Sequence, residues 1–284
     1  MIVAYAPGAG LGHLTRLRAA VHTLGLAGPL TIVTDSRFAT DRRVTGAADV
    51  VSIARPREAP TSARDTLADV VASCRASLVV LDATPAGPAG ELDGDVVPAG
   101  TPILHLARAV RWGRYADQLQ ATPPSLQQAV PVEPLPADQL RWLVDHAERV
   151  DPILPLVDPP EPPRRPDGTR FDPLEAAGAW LVVHAGPPGE AAELVAYARE
   201  QAAMEHRSPR LVLVGPGVGA PAPEPGVEHL DVYPAWPLFA VAERVVTAAG
   251  ANAVRQLAPW RAKHRMLPLE RRLDDQHRRA RIVR

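Results

Sequence analysis

The chain holds 284 residues, 46% hydrophobic and 22% charged, which is material for folded cores and rules out a wholly disordered chain. Thirty-one basic residues against 32 acidic leave a formal charge of −1, so bulk attraction to nucleic acid or acidic membranes is not indicated. The single cysteine, Cys74, excludes an internal disulfide and a cysteine-based zinc cage. All but one of the basic residues are arginine, the exception being Lys263, and 32 prolines accompany them; this bias fits GC-rich coding better than selection for phosphate binding. No signal-like leader opens the chain and no stretch reaches the eighteen or so apolar residues of a membrane helix, so a cytoplasmic protein is expected.

Short runs rich in Val, Ile and Leu at 2–5, 30–34, 50–53, 78–81 and 102–106 read as buried parallel strands. Helix-compatible stretches lie between them at 13–25, 36–43, 61–75 and 88–95, and a polar helix at 137–148 leads to an apolar run at 153–157. This alternation predicts βαβ units and a doubly wound sheet. Residues 151–173 then carry eight prolines, which block helix and central strand alike and predict a semi-rigid linker. The alternation restarts with strands at 180–184, 211–214, 227–230, 244–247 and 265–267 and helices at 190–205, 236–242 and 250–257. The expected division is a first domain over 1–157, a proline-rich linker over 158–177 and a second domain over 178–284. Folds of this kind bind ligands at the carboxyl ends of their strands, here expected in a cleft between the domains.

The first strand runs into Gly8-Ala9-Gly10-Leu11-Gly12-His13-Leu14-Thr15-Arg16. Glycines at a strand-to-helix turn let a ligand approach the backbone closely, and a helix start favours an anion. No Lys-Ser/Thr follows, so this is not a P-loop; a variant dinucleotide loop stays open, because Asp35 closes the second strand where a ribose-binding acid would stand. His13 falls in the first helical turn, where the dipole disfavours imidazolium and leaves the neutral ring that a general base needs. A capping or packing histidine is the alternative. Asp82 ends a strand and either orients His13 or an acceptor hydroxyl, or caps the following turn.

Residues Gly10 to Arg16 resemble the Gly-x-Gly-His-x-x-Arg opening of GT-B-fold nucleotide-sugar enzymes, in particular predicted bacterial glycosyltransferases related to the peptidoglycan N-acetylglucosaminyltransferase. Asp82-Ala83-Thr84-Pro85-Ala86-Gly87-Pro88-Ala89-Gly90-Glu91-Leu92 is similar to the Asp-x-x-Pro-x-Gly-x-x-Gly-Glu-Leu loop of that group. Ala249-Gly250-Ala251-Asn252, with Pro268 to Gln276 downstream, is similar to its donor signature. The resemblance implies an α/β fold of two Rossmann-like domains facing a cleft, the GT-B architecture, with a short C-terminal domain. It implies His13 and Asp82 as catalytic residues and Gly10, Gly12, Arg16 and Glu91 as an acceptor-side loop. For the donor it implies Gly186, Tyr233, Gly250, Ala251, Asn252, Gln256, Asp275 and Gln276. No metal and no cofactor are expected, a nucleoside-diphosphate sugar being the co-substrate. The acceptor is an unidentified small or lipid-linked molecule; nucleic acid is not an expected partner, and peripheral membrane contact stays open.

Three features depart from the family pattern. Gln256 stands where a ribose-binding Glu is usual, Arg261-Ala262-Lys263 replaces a Gly-x-Pro, and Pro187 and Pro188 remove two N–H donors beside Gly186. Residues 255–284 carry ten basic and three acidic residues, a charge suited to a diphosphate, to anionic lipid, or simply to a solvated helix face. The leading expectation is an inverting, metal-independent glycosyltransferase. The alternatives are a nucleotide-sugar hydrolase or epimerase of the same fold and a non-catalytic partner protein; an NAD-dependent enzyme would leave the second-half motifs unexplained.

Overall fold

The computed structural model describes residues 1–217 and 225–283. By its internal contacts the chain forms two units, Met1–Pro159 with Arg271–Asp275, and Pro160–Glu270 with Gln276 onward.

The first unit is built on β1 (Ile2–Tyr5), β2 (Leu30–Thr34), β3 (Asp49–Ser52), β4 (Leu78–Ala83), β5 (Ile103–Ala107) and β6 (Gln128–Pro131). All six run parallel in the order β3-β2-β1-β4-β5-β6, so β1 lies centrally with Tyr5 beside Val33 and Leu81. The four residues of β1 are buried, as a strand covered on both faces requires. Helix α1 (Gly12–Thr23) buries Leu14, Leu17, Ala19 and Ala20. Helix α2 is only Arg42–Thr45, α3 covers Pro60–Ser73, α4 covers Trp112–Ala116 and α5 covers Ala137–His146. One face of the sheet packs Val3, Tyr5, Val79 and Leu81 against Leu67 and Val71 of α3 and Leu143 of α5.

The second unit holds β7 (Trp180–Val183), β8 (Leu211–Val214), β9 (Val227–Leu230), β10 (Arg244–Ala248) and β11 (His264–Leu267), parallel in the order β11-β10-β7-β8-β9. Helices α6 (Pro188–Met204), α7 (Ala251–Gln256) and α8 (Gln276–Val283) accompany them. Trp180, Val182 and Val246 pack on Leu194, Val195 and Ala198 of α6. Much of the proline-rich stretch is structured here: Arg164 and Tyr233 exchange backbone hydrogen bonds, and Phe171 and Ala176 enter the core beside Leu181 and Val245.

Among the described residues, ten of the eleven strands are expected from sequence. The exception is β6, whose four residues, Gln-Ala-Val-Pro, are too short and too mixed to signal a strand. The helix expected at 36–43 is a set of turns, because Asp41 caps a later start by accepting from the amide of Arg43. The helix expected at 88–95 is also a turn, held open by Gly87 and Gly90 at φ +78° and +71°. The apolar run at 153–157 adopts no regular structure, and Ile153 and Val157 are half exposed. Residues 271–275 group with the first unit, whereas the sequence reading ran the second domain unbroken from 178 to 284.

Candidate active site

At the carboxyl end of the first sheet, three side chains named by the sequence meet. His13 is the second residue of α1 and Arg16 lies one turn further, so both project from one helix face. That face meets the end of β4, where Asp82 waits. Asp82 Oδ2 is 2.6 Å from His13 Nδ1, and its two oxygens receive Nε and Nη2 of Arg16, each at 2.6 Å. The Asp82 side chain is fully buried and that of Arg16 is 4% exposed, whereas that of His13 keeps 24%.

An ionised carboxylate only accepts, so Nδ1 of His13 carries the ring proton and Nε2 is left with its lone pair. Burial pushes the His13 pKa below the usual imidazole value; Asp82 opposes this, while the charges of Arg16 and Arg108 reinforce it. Asp82 itself lies well below the usual carboxylate range: burial works to raise it, and Arg16 and His13 outweigh burial. The result is a neutral imidazole, oriented from behind, beside a permanently ionised carboxylate.

The backbone around this trio is tightly specified. Ala83 takes φ +71°, and the Thr84 amide donates to the Asp82 carbonyl across it, a sharp turn that L-residues adopt at a cost. A Cβ at Gly8 would lie 2.2 Å from His13 Cδ2, so the ring needs a glycine there. The Gly8 amide donates to Asp35, and Ser36 Oγ donates to the Gly10 carbonyl at 3.0 Å, so the end of β2 holds the glycine turn. Asp35 is thus engaged by the loop itself. Gly10 has open space at its Cβ position, and Gly12 is the first residue of α1.

Glu91 is 5% exposed and works inside its own loop. It accepts from Tyr5 Oη at 2.5 Å and from the Ala89 amide at 2.8 Å, and burial raises its pKa. Tyr115 Oη donates to the Gly87 carbonyl and accepts from the Ala86 amide, both at 3.0 Å. A Cβ at Gly87 would strike the Glu91 carboxylate, and one at Gly90 the carbonyl of Gln118.

Arg108, just after β5, was not anticipated. It is 9% exposed, pairs with Asp274 at 2.5 Å, and acts electrostatically on His13. Gln139 pins its backbone, donating to the Arg108 carbonyl at 2.8 Å and accepting from the Val110 amide at 3.1 Å. The Arg111 amide donates to the Leu273 carbonyl at 2.7 Å, and Leu273 packs with Val110, Trp112 and Tyr115. Asp275 belongs by its contacts to this first unit, next to Asp274.

The remaining expected donor residues lie in the second unit. Gly250 precedes α7, with open space where a Cβ would stand, and Ala251 and Asn252 form the first turn. Arg279 of α8, 6% exposed, donates to the Ala249 carbonyl at 2.9 Å, which brings a guanidinium to this turn. Gln256 ends α7 and is partly exposed. Gln276 is buried, and its Oε1 accepts from the Leu269 amide at 3.0 Å, closing the 269–276 turn. Tyr233 is buried with its ring edge-on to Trp236. Gly186 makes room for a protein pair: His184 Nε2 and Glu190 Oε2 are 3.0 Å apart, and a Cβ at Gly186 would meet both. Pro188 opens α6 without an N–H to offer, and Glu190 brings a carboxylate to its first turn.

No family model and no curated protein matches the chain. Solved structures do resemble it. The spinosyn forosaminyltransferase SpnP gives a TM-score of 0.59 at 13% identity, covering 99% of this chain and 82% of its own. The glycosyltransferase SsfS6 of Streptomyces sp. SF2575, complexed with thymidine diphosphate, gives 0.56 at 12%, covering 95% and 82%. The glycosyltransferase SnogD from Streptomyces nogalater gives 0.53 at 15%, covering 100% and 87%. The chain has the GT-B glycosyltransferase fold. Two parallel α/β sheets, of six and five strands, are the GT-B elements seen here, in accord with the sequence resemblance. Among the described residues no helix is long and apolar enough to cross a membrane.

Proposed function

We propose that this GT-B chain is a glycosyltransferase that moves a sugar from a nucleoside-diphosphate sugar to a hydroxyl or amine of a small or lipid-linked acceptor. The observation that carries the reading is the His13–Asp82 pair at 2.6 Å, which fixes the ring proton on Nδ1 and leaves Nε2 basic. In the step proposed, Nε2 takes the acceptor proton as the acceptor oxygen forms its bond to the anomeric carbon. The bond from that carbon to the diphosphate breaks, the electron pair leaves with the nucleoside diphosphate, and the anomeric centre inverts. Asp82 holds Nδ1–H throughout and stabilises the imidazolium that forms, without itself taking the proton.

The second unit is assigned to the donor, at the turn 250–252. The open approach at Gly250 and the buried Arg279 guanidinium beside Ala249 support that assignment. Charge on the departing diphosphate is met by backbone N–H groups and arginine, and no metal ion is invoked. Thymidine diphosphate, the ligand of SsfS6, joins UDP and GDP as a first probe.

A thermal-shift series with these diphosphates, followed by release of nucleoside diphosphate from the matching sugars with and without candidate acceptors, tests the reading. Acceptor-dependent release supports it. Acceptor-independent release of free sugar makes the protein a hydrolase, and no stabilisation by any nucleotide leaves a non-catalytic protein.

A further inference from the structure

Arg16 enters the step above only through Asp82, yet it touches both other members of the cluster. Its Nε and Nη2 occupy both oxygens of Asp82, and Nη2 also stands 3.3 Å from His13 Nδ1. Since Nδ1 carries the proton, that last approach is a contact between charge and ring, with no hydrogen bond in it. Both Arg16 and Asp82 are cut off from water, so their charges act on His13 with little screening.

We propose that Arg16 is a positioning residue that sets the acid–base state of His13: its fork locks Asp82 in the orientation that receives Nδ1–H, and its charge keeps the imidazole neutral. The proposal deepens the reading of His13 as proton acceptor and rests on it. The charge argument is simple. With His13 neutral, Arg16 and Asp82 cancel; protonating the ring leaves a net positive charge in a buried site. Without Arg16 the imidazolium and Asp82 would cancel each other, and protonation would be favoured.

The other groups around the ring do not alter this sign. Arg108, after β5, works in the same direction, tempered by its pairing with Asp274. His105 of β5 donates from Nδ1 to the Leu81 carbonyl at 3.1 Å and is pushed down to about 4 by burial, so it adds no charge near neutrality. Asp35, at the end of β2, is engaged by the Gly8 amide. The arrangement gives the protein a base that stays unprotonated to lower pH than an isolated His–Asp pair would. That suits a base working beside a second, anionic substrate, whose arrival would otherwise draw a proton onto the ring.

The test is an NMR titration of His13 in the ligand-free protein, for wild type, Arg16→Gln and Arg16→Lys, with the tautomer read from the ring nitrogens. Wild-type His13 should titrate below the usual 6.5 with the proton on Nδ1. Arg16→Gln should raise its pKa by about one to two units, the range of a nearby charge, and Arg16→Lys should raise it less. An acidic limb of turnover, where a donor is known, should move up by the same amount. An unchanged His13 pKa in Arg16→Gln, or equal rises in both variants, would overturn the proposal. So would a wild-type pKa above 6.5, a measurement that needs no variant to fold. Because the titration uses no substrate, its failure is distinct from failure of the glycosyl-transfer reading.

Discussion

The two sheets end in sites of opposite character. At the carboxyl end of the first, nearly every polar group is spent on the protein: His13, Asp82 and Arg16 on one another, Glu91 on Tyr5 and Ala89, Arg108 on Asp274. Three glycines follow the same logic, since Gly8, Gly87 and Gly90 leave room for His13, Glu91 and Gln118, while Gly10 faces open space. In the second, Gly186, Gly215 and Gly217 likewise accommodate His184 and Asp231, but Gly250 faces open space. A preorganised cluster that leaves one ring nitrogen basic is what proton transfer needs, because reorganisation during the reaction is avoided. An open turn beside a buried arginine is what a diphosphate needs. The difference argues for a division of labour in which chemistry and donor recognition can be damaged separately.

The strongest way to sharpen this contrast is to break the first cluster. Asp82→Ala leaves the Arg16 guanidinium buried and unpaired, and should destabilise the protein by about 3–5 kcal/mol in denaturant unfolding. A loss under 1 kcal/mol would mean the pair is better solvated than its burial implies. Gly8→Ala should displace the His13 ring, lowering turnover by about 10²-fold while nucleotide-induced stabilisation survives. Gly250→Val makes the reverse cut: the apo melting temperature should hardly move, whereas stabilisation by nucleoside diphosphates should vanish. Unchanged nucleotide binding in that variant would remove the donor from this turn.

Acid should erode both units alike. His105 in the first and His264 in the second are each held down to about 4, chiefly by burial. Unfolded histidine takes up its proton near 6.5, so acid favours the unfolded chain between those values. Their contribution is complete above pH 6.5 and is lost as pH falls toward 4, roughly 2 kcal/mol for each at pH 5. Unfolding at pH 7 and pH 5 checks this, and His105→Gln should flatten part of the slope, with His13, also lowered by burial, and His264 supplying the rest. The smallest expected effect is Gly10→Ala, where open space predicts a stability change within about 0.5 kcal/mol, in contrast to Gly8 in the same loop.

Much of this was legible in the sequence because it is periodic or local. Buried parallel strands announce themselves as short Val/Ile/Leu runs, and a His and an Arg three residues apart on a helix must share a face. Asp82, at the end of a strand beside β1, then has a defined place. The sequence could not show Arg108 meeting Asp274, 166 residues away, since neither stands in a periodic pattern. Nor could it say which glycine of the first turn matters, because only the position of the His13 ring distinguishes Gly8 from Gly10. Gln276, which the resemblance assigns to the donor, also accepts from the Leu269 amide, a bond across seven residues that no sequence pattern announces. Pro187 and Pro188, by contrast, are legible in the sequence as two N–H donors missing beside Gly186.

The central claim is that His13 accepts the acceptor's proton through Nε2 while the donor is held elsewhere. The most direct measurement is the pH dependence of turnover for wild type and His13→Asn, with nucleoside diphosphate affinity determined for both. Wild-type rate should fall on acidification below the ordinary histidine pKa. His13→Asn should lose about 10²–10⁴-fold in turnover, lose that acidic limb, and keep its nucleotide affinity. Near-wild-type turnover with an unchanged pH profile in His13→Asn would contradict the account and reduce His13 to a packing residue at the start of α1.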